Sequence, residues 1–257
     1  MRHLFTPKPL ACALLALSCS SLSQAELGAV QPTTENHTRN VILIIGDGMD
    51  AQQISSARNY LVGSQADMLL DTLPVRSAVQ VLTVDEHNPE RPVYVADSAN
   101  SATSMATGQI TSRGRIGTAA GSDQDITNIV ELAQAQGFSA GIVTTANITD
   151  ATPASFFAHT ASRGCENPNI MRSNETSFYP PKPNCAADLK PMGAGSIAQQ
   201  IVEGDLDIIL GGGLQHLAAT AEGSETSPID EDGTADGIDL ITLAQNNHFD
   251  VILDAQQ

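Results

Sequence analysis

Residues 41–45 read Val-Ile-Leu-Ile-Ile. An unbroken run of β-branched and aliphatic side chains is the signature of a strand buried on both faces of a parallel sheet. The run ends at Gly46-Asp47-Gly48, and the next segment, AQQISSARNYLVG, spaces Ile54, Ala57, Arg58 and Leu61 as a helix before stopping at Gly63. Strand, turn and helix in that order open a βαβ unit. The same alternation continues, with strands expected at 76–84, 138–146, 206–210 and 251–253 and helices at 99–106, 126–137, 153–162, 196–203 and 240–246. The expected fold class is therefore α/β, a mostly parallel central sheet with helices on both faces. Ligands of such sheets bind beyond the carboxyl ends of the strands, which is where Asp47 falls.

The ends of the chain follow a different grammar. Residues 1–25 place Arg2 and Lys8 ahead of an apolar stretch from Leu10 to Leu17 and finish in Ser23-Gln24-Ala25. That is the form of a secretory signal peptide, cleaved after Ala25; a lipoprotein reading on Cys19 fits less well because Ala16 stands where a larger aliphatic residue is usual. Residues 26–39 read as a polar, flexible segment, and 40–257 as the folded part. No later segment has the roughly 20 apolar residues that cross a bilayer, so a periplasmic or secreted protein is expected. The 29 acidic against 12 basic residues are scattered along the chain. Such a surface suits solubility and cation binding, and it argues against a nucleic-acid partner, whose phosphates need a basic face.

Export also changes the meaning of the cysteines. Removing the leader takes Cys12 and Cys19 and leaves Cys165 and Cys185, for which a disulfide is expected in an oxidising compartment. Zinc ligation by this pair would need further Cys or His partners, and none stands between them.

Three short stretches carry candidate chemistry, each with a plainer alternative. Asp47, between two glycines at a strand end, is a metal ligand or a helix cap. Asp150 and Thr152, after the strand at 138–146, offer two oxygens two positions apart, or an ordinary helix start with Thr152 as cap and Pro153 in the first turn. Ser98, after Asp97 and ahead of small residues, is placed to hold or receive an anion at a helix N-terminus, or is the N-cap itself. Gly211–Gly213 lacks the continuation of a phosphate-binding loop and reads as a turn. The acidic stretch 223–237 reads as a solvated loop whose spacing does not match a calcium loop. His3, His37, His87, His159, His216 and His248 are dispersed and read as surface or packing residues.

Together these stretches resemble one family. DSANSATSMATG is similar to the nucleophile signature of alkaline phosphatases, NVILIIGDGM to their first metal-binding strand, and DATPASFFAHTASR to their magnesium- and phosphate-binding segment, in the family's order. The resemblance runs from about Asn40 to the end and extends to the leader and the paired cysteines of bacterial members. It implies hydrolysis of phosphate monoesters with two Zn2+ and one Mg2+. Ser98 is then the nucleophile that becomes phosphoserine and a zinc ligand, and Asp47 bridges a zinc and the magnesium. Asp150 and Thr152 supply magnesium oxygens, and Arg163 clamps phosphate with Asp97 orienting its guanidinium. Asp150 stands where some relatives carry histidine, which favours magnesium at that site.

The remaining acid, Asp and His ligands of the family come from a second half. The chain is therefore expected to be the amino-terminal part of such an enzyme, with little turnover in isolation, and a homodimer is common among full-length members. Two alternatives stay open: a related metal-dependent phosphodiesterase or sulfatase-like hydrolase, and a non-catalytic exported domain that binds phosphate or cations.

Overall fold

In the computed structural model the described residues are 40–168, 170, 185, 195–217, 239–247 and 249–253. The leader, the segment 26–39, the acidic stretch 223–237, and His3, His37 and His248 lie outside them. The chain divides into two units, 1–44 and 45–257. Of the first, residues 40–44 form neither helix nor strand, and the side chains of Val41, Ile42 and Ile44 are exposed. The buried strand expected at 41–45 is thus not formed. Apolar continuity supplies the side chains of a central strand, but only a paired neighbour satisfies its backbone groups.

In the second unit, helix starts are set by side chains. Asp50 accepts from the Gln53 N–H at 2.8 Å and begins α1 (Ala51–Leu61), close to the expected helix. A 3₁₀ turn (Leu69–Thr72) follows, and Arg58 binds Asp71 there through Nε at 2.9 Å and Nη2 at 2.6 Å. A short antiparallel pair, β1 (Thr83–Val84) and β2 (Pro92–Val93), leads to α2 (Ser98–Thr107), which ends on Gly108 in the left-handed region. Next come α3 (Ile129–Gln134), β3 (Gly141–Asn147) and α4 (Ala151–Ala154). They are followed by α5 (Ile197–Glu203), β4 (Ile208–Gly212), α6 (Leu214–Leu217) and α7 (Leu240–Asn246).

The β3–β4 pair is parallel, Gly141 opposite Ile208, with an irregularity between Val143 and Asn147. Among the described residues the strands form two separate two-stranded sheets, so the mostly parallel central sheet is not assembled from them. The strand expected at 76–84 contracts to its last two residues because 76–82 finds no partner and leaves Val79 and Val81 exposed; 251–253 is likewise no strand. The helix expected at 153–162 starts at Ala151 and stops early, because Ile116 and Thr160 exchange backbone hydrogen bonds of 3.0 and 2.8 Å that a continuing helix forbids. Gly211 and Gly212 close β4, and Gly213 makes the turn with φ 96°.

The core explains the small residues after Ser98. Ala99, Ala102, Ala151 and Ala154 are at most 1% exposed, so α2 and α4 approach backbone to backbone. At that contact Ser155 Oγ donates to Ala99 O and Thr103 Oγ1 donates to Arg115 O, keeping buried hydroxyls satisfied. Ile116, Ile148, α5 (Ile197, Ala198, Ile201, Val202) and α7 (Leu240, Ala244) complete one cluster with Ala99, Ala151 and Ala154. Fully burying one such Ile contributes about 2 kcal/mol. Arg115, 5% exposed, is held by Glu86, Thr118 and Asp123. Burial works to raise the Glu86 pKa, but the bonds from Arg115 and Ser112 outweigh it and hold the carboxyl below its usual value.

Arg58, then the Met68 N–H, hold Asp71 down at about 2. A folded value below the unfolded one means the contribution is full above about pH 4 and is lost as pH falls through about 2. Urea melts of Asp71→Asn are expected to show lower stability than the parent near neutrality, with the gap closing as pH falls from about 4 to about 2. Cys165 and Cys185 form a disulfide with Cα atoms 5.7 Å apart, closing a separation of 20 residues. Replacing both by serine is expected to cost about 3 kcal/mol in the same melts.

Candidate active site

Asp47 is the point at which three segments meet. Its Oδ1 accepts from Ser98 Oγ at 3.1 Å and its Oδ2 accepts from Thr152 Oγ1 at 2.8 Å. Asp47 caps no helix; Asp50 takes that role for α1. Ser98 is not a cap either, because Asp97 caps α2 by accepting from Asn100 N at 3.1 Å, leaving the Ser98 hydroxyl free for other work. Similarly, Asp150 caps α4 through the Ala151 N–H at 2.7 Å, and Thr152 is released toward Asp47. Asp47, Ser98 and Thr152 line one open cleft of about 330 Å³ together with Gly46, Gly48 and Asp97. From α2 the cleft also takes Ser101, Ala102 and Met105. With Ser98 these residues occupy one helical face, a spacing visible in the sequence although only Ser98 was singled out there.

Arg163 and Asp150 sit beside this cleft without lining it. Arg163 Nη2 donates to Asp150 Oδ1 at 2.8 Å, while Nη1 faces Asp97 Oδ2 at 3.6 Å, an ion pair too long for a hydrogen bond. The Arg163 side chain is about one-third exposed, so its guanidinium is supported yet reachable. Gly114 joins the two halves of the site: its N–H donates to Asp97 Oδ1 at 3.2 Å, and its C=O accepts from Arg163 N at 2.6 Å. A φ of 83° at Gly114 favours glycine there. Sequence reading missed this residue, since one glycine among several carries no sign of what its backbone will bond. Val95, two residues before Asp97, has φ 67°, an uncommon conformation for a β-branched side chain.

The donor chemistry divides the implied metals. Asp47, Asp150 and Thr152 are hard oxygen donors of the kind magnesium takes, and among the described residues no basic group pairs with Asp47. By donor type Asp47 and Thr152, joined at 2.8 Å, fit part of a magnesium shell, whereas Asp150 Oδ1 is taken up by Arg163 and the Ala151 N–H. Zinc prefers nitrogen or sulfur donors, and here only the oxygens of Asp47 and Ser98 are offered; no group of three His, Cys, Asp or Glu side chains suited to a metal occurs among the described residues. The described residues therefore do not amount to a zinc site.

The sequence matches the alkaline phosphatase family over residues 38–257. The chain belongs to the alkaline phosphatase family. Relatives include a streptomycin-6-phosphate phosphatase of Streptomyces griseus, 42% identical over 71% of this chain and 38% of that protein. The alkaline phosphatase of Escherichia coli K12 is 34% identical over 82% of this chain and 43% of its own. The chain thus spans about two-fifths of the length of these family members. Among solved structures, the alkaline phosphatase of the Antarctic bacterium TAB5 aligns with a TM-score of 0.51 and 25% identity over 81% of this chain and 46% of that one. A histidine-to-glutamate variant of the same enzyme, described with Mg bound in its M3 site, aligns with a TM-score of 0.50 and 25% identity, covering 81% of this chain and 45% of its own. These neighbours support an α/β fold of the alkaline phosphatase kind. No described helix is long and apolar enough to cross a membrane.

Proposed function

We propose that the full-length protein hydrolyses phosphate monoesters through a phosphoserine at Ser98. The observation that carries this reading is the Asp47 carboxylate holding the Ser98 and Thr152 hydroxyls from two other segments at one cleft, in a chain of this family. Asp47 orients Ser98 Oγ at the first position of α2. Asp97 occupies the Asn100 N–H, and the N–H of half-buried Ser98 at the positive end of the helix remains for an oxyanion. Arg163 adds a planar, bidentate donor from the side, steadied by Asp150 and Asp97. In the first displacement Oγ bonds to phosphorus as the ester P–O bond breaks and the alcohol departs. In the second, water takes the place of Oγ and phosphate leaves.

Magnesium held by Asp47, Asp150 and Thr152 would supply fixed positive charge beside the developing oxyanions. The two zincs of the family reading would draw on Asp47 and Ser98 together with ligands outside the described residues. The Streptomyces griseus relative is named for a small phosphorylated organic molecule, which agrees with a monoester substrate and an open cleft. Export to the periplasm or medium and a homodimer belong to the same proposal.

Relative rates test the reaction class. The full-length protein is expected to turn over an aryl phosphate monoester far faster than the matching diester or sulfate, and Arg163→Lys is expected to weaken inhibition by inorganic phosphate about tenfold, since one ammonium replaces a two-pronged donor. A preference for diester or sulfate, or phosphate binding without turnover, contradicts the reading.

A further inference from the structure

Behind Asp150 and Arg163 lies a second polar cluster that the proposed reaction does not use. Glu166 Oε2 accepts from Thr149 Oγ1 at 2.7 Å and faces His216 Nε2 at 3.1 Å. Asn167 Nδ2 lies 2.9 Å from His216 Nδ1, so the tautomer with its proton on Nε2, facing Glu166, satisfies both contacts. Thr149 is fully buried, and the side chains of His216 and Glu166 are 12% and 25% exposed. The cluster draws on three places: the turn after β3, the chain leaving Arg163, and α6 beyond β4. The first two lie close in sequence to residues of the site. Thr149 precedes Asp150, and Glu166 stands three residues after Arg163, its backbone pinned to α5 by the Ala198 N–H at 3.0 Å.

Two side-chain ties therefore lace the same pair of segments, Arg163 to Asp150 and Glu166 to Thr149. We infer that Glu166, backed by His216, is a positioning residue that fixes the Asp150 turn against Arg163 and so sets the guanidinium for the phosphoryl group. This inference rests on Arg163 being the phosphate clamp. One oxygen of Glu166 serves both donors, so shape rather than charge is what the site needs, and a glutamine carbonyl can take the same place.

The test uses the full-length protein, with inorganic phosphate as the probe and a double-mutant cycle. Glu166→Ala is expected to raise both KM and the phosphate inhibition constant about tenfold with kcat changed much less, and Glu166→Gln to restore both to within about twofold of the parent. Joined to Arg163→Ala, Glu166→Ala is expected to add nothing further, because it acts through that side chain. His216→Ala is expected to shift phosphate inhibition in the same direction. Loss of thermal stability in Glu166→Ala with unchanged phosphate inhibition overturns the inference and leaves the proposed reaction standing. Unchanged phosphate inhibition in Arg163→Ala overturns both. Should Glu166→Ala fail to fold, His216→Ala in the same cycle decides: additivity with Arg163→Ala contradicts the coupling.

Discussion

Replacing Ser98 by alanine in the full-length protein is expected to lower kcat/KM for a phosphate monoester by at least about a thousand-fold, equivalent to about 4 kcal/mol of transition-state stabilisation. The loss is large because no neighbouring group duplicates Oγ. Of the other hydroxyls of α2, three are occupied within the fold, Thr103 Oγ1 donating to Arg115 O, Ser104 Oγ to Asn100 O and Thr107 Oγ1 to Thr103 O, while Ser101 lines the cleft one turn further along the helix, without the bond to Asp47 that Ser98 makes. Thr152 shares Asp47 with Ser98 but starts from α4, so its hydroxyl approaches the carboxylate from the other side. Steady-state kinetics on Ser98→Ala, with thermal stability close to the parent, check the expectation. A loss below tenfold removes Ser98 from the chemistry.

Gly117→Ala has the largest expected effect of any single substitution on folding. A Cβ there would stand 2.3 Å from Ala158 O and 2.7 Å from His159 Nδ1, at a φ of 57°. Making room means moving 158–160 away from Ile116, against the paired Ile116–Thr160 bonds. The left-handed backbone costs about 1 kcal/mol, and two strained hydrogen bonds about 1 kcal/mol each, for a total of about 3 kcal/mol. Gly108→Ala is the control, since φ there is 73° but no atom lies within 4 Å of the added carbon. Urea melts are expected to show about 1 kcal/mol for Gly108→Ala and about threefold that for Gly117→Ala. Equal losses at the two glycines mean that close packing at Gly117 is not the cause.

Local chemistry was legible in the sequence where a short motif determined it. The helices α1, α2, α5 and α7 appear close to their expected positions because a capping side chain and a helical spacing lie within a few residues of each other. Asp50, Asp97 and Ser196 each supply such a cap. Of the strands, β3 and β4 form close to the expected 138–146 and 206–210, and the others do not form in full. The run 41–45 and the alternation at 76–84 have the right side chains, yet a strand is a property of two segments, and its partner cannot be read from either alone.

The site follows the same division. The convergence of Asp47, Ser98 and Thr152 was expected from the family resemblance. The alternative roles of Ser98 and Thr152 as helix caps fall away because an aspartate takes each cap, Asp97 for α2 and Asp150 for α4. Gly114 and Glu166 were not found, since what they do depends on backbone direction and on partners distant in the chain, Asp97 at 17 residues from Gly114 and His216 at 50 from Glu166. His159 behaves as the sequence reading held for histidines in general: its ring bridges Gly117 O and Glu131 inside the fold.

The most direct test of the central claim is to mix the full-length protein with a phosphate monoester, quench in acid during turnover, and locate phosphoryl groups by peptide mass spectrometry. A single labelled side chain, Ser98, is expected, with no label in Ser98→Ala. Label on another residue, or full turnover by Ser98→Ala without any labelled peptide, contradicts it.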